Sequence, residues 1–267
     1  GRDVVKLNTN ENPYPPSPRV AEALRAFDAA DLRRYPDPLC SGLRRRVAAR
    51  HGCRPEQVFI GNGSDEILAL ALRAFVERGG TVGCFDPSYS LYPVLAAIEE
   101  LALHKLPLTE DFSWAMPGDY RSDIFLLTYP NAPTGIAYPV DRVRAFCRAF
   151  EGVVVLDEAY VDFAEQDVTG LALEFEHVLS ARSFSKSFAL AGLRLGYAVG
   201  PEPLIDGLMR IKDSYNVSLL AQRIGEAALD DLEYMRAQAK TVCRTRERVA
   251  AELRERGFTV CPSQANF

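Results

Sequence analysis

Three charged residues of different types stand where they could act together on one ligand. Asp157 directly follows the apolar run 153–156, and Lys186 lies in the serine-rich segment 183–187. Arg194 follows eight residues after Lys186, between Gly192 and Gly196. A buried carboxylate needs a cationic partner, such as the protonated ring nitrogen of a pyridine cofactor. A lysine with a lowered pKa can form a Schiff base, and arginine matches a phosphate dianion.

Each of these residues also has a simpler interpretation. Asp157 taken alone is more typical of a helix N-cap or of a salt bridge to a nearby helix. Lys186 taken alone is more typical of a surface lysine in a polar loop. The functional interpretation therefore depends on these residues meeting in one place.

Three further segments carry weaker signals. The segment 61–66 is a strand-to-helix junction where Ser64 and Asp65 could present backbone N–H groups to an anion, or simply cap the helix. It is neither a P-loop nor a G-x-G-x-x-G motif. Tyr89 could stack on a planar ring or pack as a loop tyrosine. Asn131 lies in a Pro- and Gly-containing turn and could hydrogen-bond a ligand.

The elements that would position these residues follow from the pattern of apolar side chains. Periodic spacing predicts helices over 20–27, 41–51, 64–77, 88–99, 140–150 and 219–256, the last with a break near Asp230 and Asp231. Short apolar runs predict strands over 57–61, 81–85, 101–106, 124–128, 153–156, 178–181 and 195–199. Strands that alternate with helices indicate an α/β fold with a mostly parallel sheet, in which ligands bind beyond the carboxyl ends of the strands.

Composition narrows the class of protein. The 267 residues are 48% hydrophobic and 25% charged, as in ordinary globular proteins, and the net charge of −5 argues against a nucleic-acid partner. No apolar run approaches the roughly 18 residues of a membrane span. The six cysteines form no C-x-x-C pair, so we expect reduced thiols, a cytoplasmic location and no metal site.

The order and spacing of the motifs resemble the fold-type I aminotransferases that use pyridoxal 5′-phosphate (PLP). The matching motifs are Asn131-x-Pro133-Thr134-Gly135, Asp157-Glu158-Ala159-Tyr160, Ser183-x-Ser185-Lys186 and Gly192-x-Arg194-x-Gly196-Tyr197. Within the class II subgroup, the chain is similar to the histidinol-phosphate aminotransferases along essentially its whole length. The motifs that carry this narrower resemblance are 7–13, 34–37, 61–66 and 185–194.

The resemblance implies roles for the residues around the cofactor ring. Lys186 would carry PLP as a Schiff base and then act as the general base of the proton shift. Asp157 would pair with the pyridinium nitrogen, Tyr160 would hydrogen-bond the phenolate oxygen, and Tyr89 would stack on the ring. The reaction implied is the exchange of an amino group between L-histidinol phosphate and 2-oxoglutarate.

The resemblance also implies how the phosphate is held. The residues concerned are Ser64, Asp65, Ser183, Ser185 and Arg194. Tyr35 would reach the phosphate bound by a neighbouring subunit, which implies a homodimer.

Two departures from the family pattern matter. Many relatives have asparagine immediately before Pro-Thr-Gly, whereas here Ala132 takes that position and Asn131 precedes it. The contact to the phenolate oxygen then rests on Tyr160 alone, or Asn131 reaches it through a shifted turn. The family also continues beyond Phe267 into a lobe that carries an arginine for the 2-oxoglutarate carboxylate. We therefore expect this sequence, which begins with Gly1, to be a fragment with an incomplete second domain.

The predicted organisation is a large PLP-binding domain over 41–230. Residues 1–40 and 231–267 would form a smaller, partial domain. Alternatives that share most of the motifs are a threonine-phosphate decarboxylase or an aromatic aminotransferase. A PLP-fold transcriptional regulator is less compatible, because the chain has neither an added helix-turn-helix domain nor a basic face, and an inactive truncated protein is a further alternative.

Overall fold

The computed structural model describes residues 6–267, and its centre is a seven-stranded sheet. The strands are β1 (Val58–Gly61), β2 (Thr81–Asp86), β3 (Ala102–Pro107), β4 (Ile124–Thr128), β5 (Val153–Asp157), β6 (Val178–Ser183) and β7 (Gly196–Val199). Their spatial order is β1-β7-β6-β5-β4-β2-β3. The pairs among β2 to β6 are parallel, whereas β7 runs antiparallel to both β6 and β1. The α/β class and the mostly parallel sheet are therefore confirmed.

Nine α-helices surround this sheet within the described residues. They are α1 (Pro18–Arg25), α2 (Ser41–His51), α3 (Ser64–Phe75), α4 (Leu91–Ile98), α5 (Val140–Ala149), α6 (Leu171–Glu174), α7 (Glu202–Ile211), α8 (Leu219–Leu229) and α9 (Leu232–Glu255). The predicted break near Asp230 and Asp231 is confirmed, because these two residues separate α8 from α9. Helices α6 and α7 were not predicted from the sequence, and α4 begins three residues later than predicted.

Alternate side chains of the central strands face two apolar layers, which explains their all-apolar sequences. Phe59, Val155 and Ala198 pack with α3, α4 and α7 on one face. On the opposite face, Leu156 packs in a cluster with α5 and α6, and Tyr197 packs with α2, α8 and α9. The sheet is thus buried on both sides, and its carboxyl edge is left to bind a ligand.

The N-terminal segment and the C-terminal helices join one of these apolar clusters. Val20 of α1 and Met235 of α9 pack in the same cluster as Leu43 of α2 and Val217. The division into a domain over 41–230 and a second over 1–40 and 231–267 stays a prediction, and residues 1–5 of that second domain lie outside the described residues.

Candidate active site

A cleft of about 840 Å³ opens at the carboxyl edge of the parallel strands. Nine of the predicted site residues line it: Ser64, Asp65, Tyr89, Asp157, Tyr160, Ser183, Ser185, Lys186 and Arg194. Asp157 and Ser183 are the last residues of β5 and β6, so the sheet itself brings them to the cleft. The N-terminal segment 8–11 and Phe267 complete the wall.

Asp157 is buried at the floor of the cleft, with 2% of its surface exposed. Its Oδ2 accepts a hydrogen bond from the Tyr92 hydroxyl at 2.8 Å, and its Oδ1 accepts one from the Ala159 backbone at 3.2 Å. It makes no ion pair with any residue in 6–267. Burial raises the pKa of the Asp157 carboxyl to about 6, against the lowering effect of those hydrogen bonds. The salt bridge of the simpler interpretation is therefore absent from residues 6–267, and the N-cap of the helical turn that follows is Tyr160.

Tyr92 and Thr128 are site residues that the sequence analysis missed. The Tyr92 hydroxyl lies 2.6 Å from Thr128 Oγ1 and donates to Asp157, and both Tyr92 and Thr128 are buried. The available signal was a tyrosine on the apolar face of α4, since a buried tyrosine hydroxyl usually requires a polar partner. The Tyr92 hydroxyl, which is itself held by Thr128, therefore orients the Asp157 carboxylate.

Lys186 is half-buried and its side chain points into the cleft rather than into solvent. Its Nζ donates to the backbone carbonyl of Thr9 at 2.8 Å and lies 5.4 Å from the centre of the Tyr160 ring. Burial lowers the pKa of the Lys186 amine, and the nearby Arg194 lowers it further, although Asp65 and Glu11 act in the opposite direction. A lowered pKa makes the neutral, nucleophilic amine more accessible near neutral pH.

Arg194 reaches the cleft because β7 is antiparallel to its neighbours. The residue lies two positions before β7, and strand reversal places the start of β7 beside the end of β6. The Arg194 guanidinium lies 3.0 Å from the Asp65 carboxylate in the first turn of α3. The β7 backbone passes so close to this turn that a Cβ on Gly196 would lie 2.6 Å from the Ser64 nitrogen. Arginine, helix N-terminus and serine hydroxyls together form a setting suited to an anion.

Two tyrosines flank the Asp157 carboxylate. The Tyr160 hydroxyl accepts a hydrogen bond from Asn10 Nδ2 at 3.2 Å, so the N-terminal segment contacts the predicted ring-binding residue directly. The Tyr89 hydroxyl lies 3.5 Å from Asp65, and its ring meets Tyr92 edge-on. Burial raises the pKa of both Tyr89 and Tyr160, so both hydroxyls are protonated hydrogen-bonding groups in this site.

Two of the predicted site residues do not line the cleft. The Asn131 side chain is fully buried, and its Nδ2 donates to the Pro87 carbonyl and to Thr134 Oγ1, while Ala132 lines the cleft in its place. Tyr35 lies on the surface, 79% exposed, and stacks on Tyr215 with ring centres 4.3 Å apart. Their contacts to a cofactor stay predictions.

Comparison with known proteins agrees with this geometry. The family model for aminotransferase class I and II matches residues 2–267. The chain belongs to this aminotransferase family. Two similar curated relatives are histidinol-phosphate aminotransferase 1 of Bordetella parapertussis, at 44% identity, and histidinol-phosphate aminotransferase 1 of Burkholderia pseudomallei, at 45%. The matches cover 99% and 98% of this chain, and 77% and 76% of the respective relatives.

A solved structure gives the same result for this aminotransferase. The histidinol-phosphate aminotransferase of Sinorhizobium meliloti, determined in complex with PLP, superposes with a TM-score of 0.89 at 28% identity. That match covers 96% of this chain and 72% of the other. The fold and the transferase class inferred from the sequence are therefore confirmed.

PLP is the cofactor of this family, and the residues of the cleft fit it. Asp157 is a buried carboxylate without a cationic partner among residues 6–267, as a pyridinium nitrogen requires. Lys186 offers an amine whose pKa is lowered by burial. The Arg194 guanidinium, Ser183, Ser185 and the start of α3 offer the donors that a phosphate needs.

Two features are absent from residues 6–267. None of their helices is long and apolar enough to cross a bilayer. They also contain no group of three His, Cys, Asp or Glu side chains arranged to hold a metal ion.

Proposed function

We propose that the chain transfers the amino group of L-histidinol phosphate to 2-oxoglutarate, giving imidazole acetol phosphate and L-glutamate. The observation that carries the chemistry is the meeting of Asp157, Lys186 and Arg194 in one cleft. The substrate is supported by the curated relatives, which are named histidinol-phosphate aminotransferases and match nearly the whole chain at 44–45% identity. This reaction belongs to histidine biosynthesis.

The roles proposed for the ring-binding residues are those that the family resemblance implies, and their charges and positions support them. Bound PLP supplies an electron sink that acidifies the Cα–H of the amino donor. Asp157 keeps a proton on the ring nitrogen, because a buried carboxylate without another cationic partner strongly favours one there. Tyr160 donates to the phenolate oxygen, and Tyr89 packs against the ring. Asn131 contributes through Ser88, whose hydroxyl contacts both Asn131 and Thr128.

Lys186 is the proposed proton carrier. Its amine would take up the Cα proton of the donor and give a proton back as the amino group is transferred. Burial beside Arg194 favours the neutral amine that this step requires. The phosphate is held by Arg194, Ser183, Ser185 and the backbone of Ser64 and Asp65.

We also propose a homodimer in the cytoplasm. Tyr35 is 79% exposed and does not line the cleft of its own chain. The family resemblance implies that it contacts the phosphate bound by a second subunit. All six cysteines are free thiols, and three of them are buried, as expected in a reducing compartment. Residues 41–230 are proposed as the cofactor-binding domain of each subunit.

The decisive experiment is a product assay with competing donors. Protein loaded with PLP is mixed with 2-oxoglutarate and with L-histidinol phosphate, L-threonine phosphate or an aromatic amino acid. We expect L-glutamate to form fastest with histidinol phosphate, and we expect none from a Lys186→Ala variant. Release of CO2 from threonine phosphate, or faster glutamate formation from the aromatic donor, would overturn the substrate assignment.

A further inference from the structure

Behind the cleft lies a buried cluster of ionic groups that the proposed chemistry does not use. Asp162 sits in the short turn Val161–Phe163 after Tyr160, and its Oδ1 accepts from Arg50 of α2 at 2.7 Å and from Arg182 of β6 at 3.1 Å. The three side chains are 14%, 10% and 5% exposed, respectively. We call Asp162, Arg50 and Arg182 the ion cluster.

The charge on Asp162 is firmly held. Burial alone would raise the pKa of its carboxyl, but Arg182 and Arg50 lower that pKa to about 2. The carboxylate therefore remains ionised at any pH at which the protein works. A buried charge of this kind is costly to leave unpaired, so the geometry of its partners is tightly constrained.

The ion cluster contacts the two residues that follow Lys186, on the side of the loop 183–190 away from the cleft. Ser187, the residue after Lys186, donates its hydroxyl hydrogen bond to Asp162 Oδ2 at 2.5 Å. Phe188, one residue further, lies under the Arg50 guanidinium at 5.5 Å from the ring centre and packs on Phe184. Both Ser187 and Phe188 are buried.

This arrangement links the backbone segment that carries Tyr160 to the segment that carries Lys186. Asp162 is two residues after Tyr160, and Ser187 is adjacent to Lys186, so their hydrogen bond fixes one backbone segment against the other. Asn12 Nδ2 donates to the Lys186 backbone carbonyl at 3.0 Å. On the cleft side, the Lys186 amine has only the Thr9 carbonyl as a hydrogen-bond partner within the described residues. That partner must be given up once the amine is used, whereas the Ser187 contact can persist.

We propose that Asp162 and Ser187 are positioning residues, which hold the loop so that the Lys186 amine stays at its working position when it is released from Thr9. The proposal rests on the role of Lys186 and not on the identity of the amino donor. Misplacing a reacting group by about 1 Å can lower the rate roughly 100-fold. A loop that keeps the Lys186 amine in place therefore increases the reaction rate.

The test compares two serines that make equivalent bonds. Ser187→Ala removes the bond to Asp162, and Ser180→Ala removes a bond of the same length, 2.5 Å, from another buried serine to the buried carboxylate of Glu158. We expect similar decreases in the melting temperature of the cofactor-free protein for the two variants. Only Ser187→Ala should speed hydrogen–deuterium exchange of the backbone in 183–190, by about tenfold or more.

A second readout uses the cofactor without any substrate. With PLP bound, the pH midpoint of its absorbance change should shift by at least half a unit in Ser187→Ala and stay unchanged in Ser180→Ala. Ser187→Thr, which keeps the hydroxyl, should restore both the midpoint and the exchange rate. Asp162→Asn should reproduce the Ser187→Ala midpoint shift if it folds.

The outcomes that overturn the proposal differ from those that overturn the proposed function. Equal effects of Ser187→Ala and Ser180→Ala on exchange and absorbance would mean that the hydrogen bond between Ser187 and Asp162 only stabilises the fold and does not position Lys186. A Ser187→Ala variant that behaves as the parent in both measurements would do the same. Neither result depends on which amino donor the enzyme accepts.

Discussion

At the scale of single residues, Asp157 shows how a ligand site can oppose folding stability. The unfolded chain releases the carboxyl proton near pH 3.9, whereas burial raises the pKa of Asp157 to about 6 in the folded, cofactor-free protein. The folded state therefore binds the proton more tightly. Stability from this group is complete below about pH 4 and is lost as the pH rises through 6. The difference of about two units corresponds to at most about 3 kcal/mol.

Replacing Asp157 with asparagine should remove this pH dependence. We compare the free energy of unfolding of the cofactor-free variant and parent in urea titrations. Between pH 4 and pH 7.5, the value for Asp157→Asn should rise relative to that of the parent by up to about 3 kcal/mol. With PLP present the order should invert, because the parent gains binding energy from its pyridinium partner. A stability difference that stays constant across this pH range would contradict the expectation.

At the scale of elements, strand β7 decides which residues meet. A four-residue strand carries no sign of its direction, so the sequence predicted its position but could not predict that it runs antiparallel. This reversal brings Arg194 to the edge where β5 and β6 end. It also presses Gly196 against the Gly63–Ser64 turn, where its Cβ would lie 2.6 and 2.7 Å from backbone atoms.

The glycine at this crossing should be irreplaceable. Gly196→Ala is expected to cost about 2 kcal/mol of stability, since neither backbone can give way cheaply. It should also weaken the binding of PLP much more than that of pyridoxal, which lacks the phosphate. Gly170→Ala is the matched control, because its Cβ would meet no atom within 4 Å. Thermal unfolding and fluorescence titration measure the two effects, and equal behaviour of the two variants would contradict this account.

How far the sequence could predict the site depends on the kind of signal. Asp157 and Lys186 were identifiable because each follows a strand whose apolar run is easily recognised. Tyr92 and Thr128 were missed because their neighbours are apolar, and only packing reveals that their hydroxyls turn toward Asp157. The contacts of Asn10 and Thr9 join positions more than 140 residues from their partners, a pairing that no local pattern encodes.

At the scale of the whole molecule, the proposed dimer completes each site with a residue from the other subunit. Tyr35 stacks on Tyr215 at the surface and leaves most of its area exposed. Neither tyrosine lines the cleft of the same chain. The proposal therefore makes a prediction about mixtures of variants that a monomer could not satisfy.

Two impaired variants should complement each other. Tyr35→Ala should weaken phosphate binding, and Lys186→Ala should abolish activity. Co-expressed in equal amounts, they should regain about a quarter of the parent's sites, because half of the dimers are mixed and one cleft in each has both residues intact. Activity and sedimentation velocity test this. No gain above the separate variants, or a monomeric parent, would exclude the shared site.

The hydrogen bond between Lys186 and Thr9 also limits when the cleft can form during synthesis of the chain. Its two ends are 177 residues apart in the sequence. At typical synthesis rates, residues 8–12 leave the ribosome roughly 10 to 35 seconds before the lysine that they contact. During most of that interval neither Tyr160 nor Lys186, the two cleft residues that this segment contacts, has been synthesised. The cleft therefore forms late in synthesis. Binding of the cofactor then requires that the N-terminal segment and the Lys186 loop have already come together.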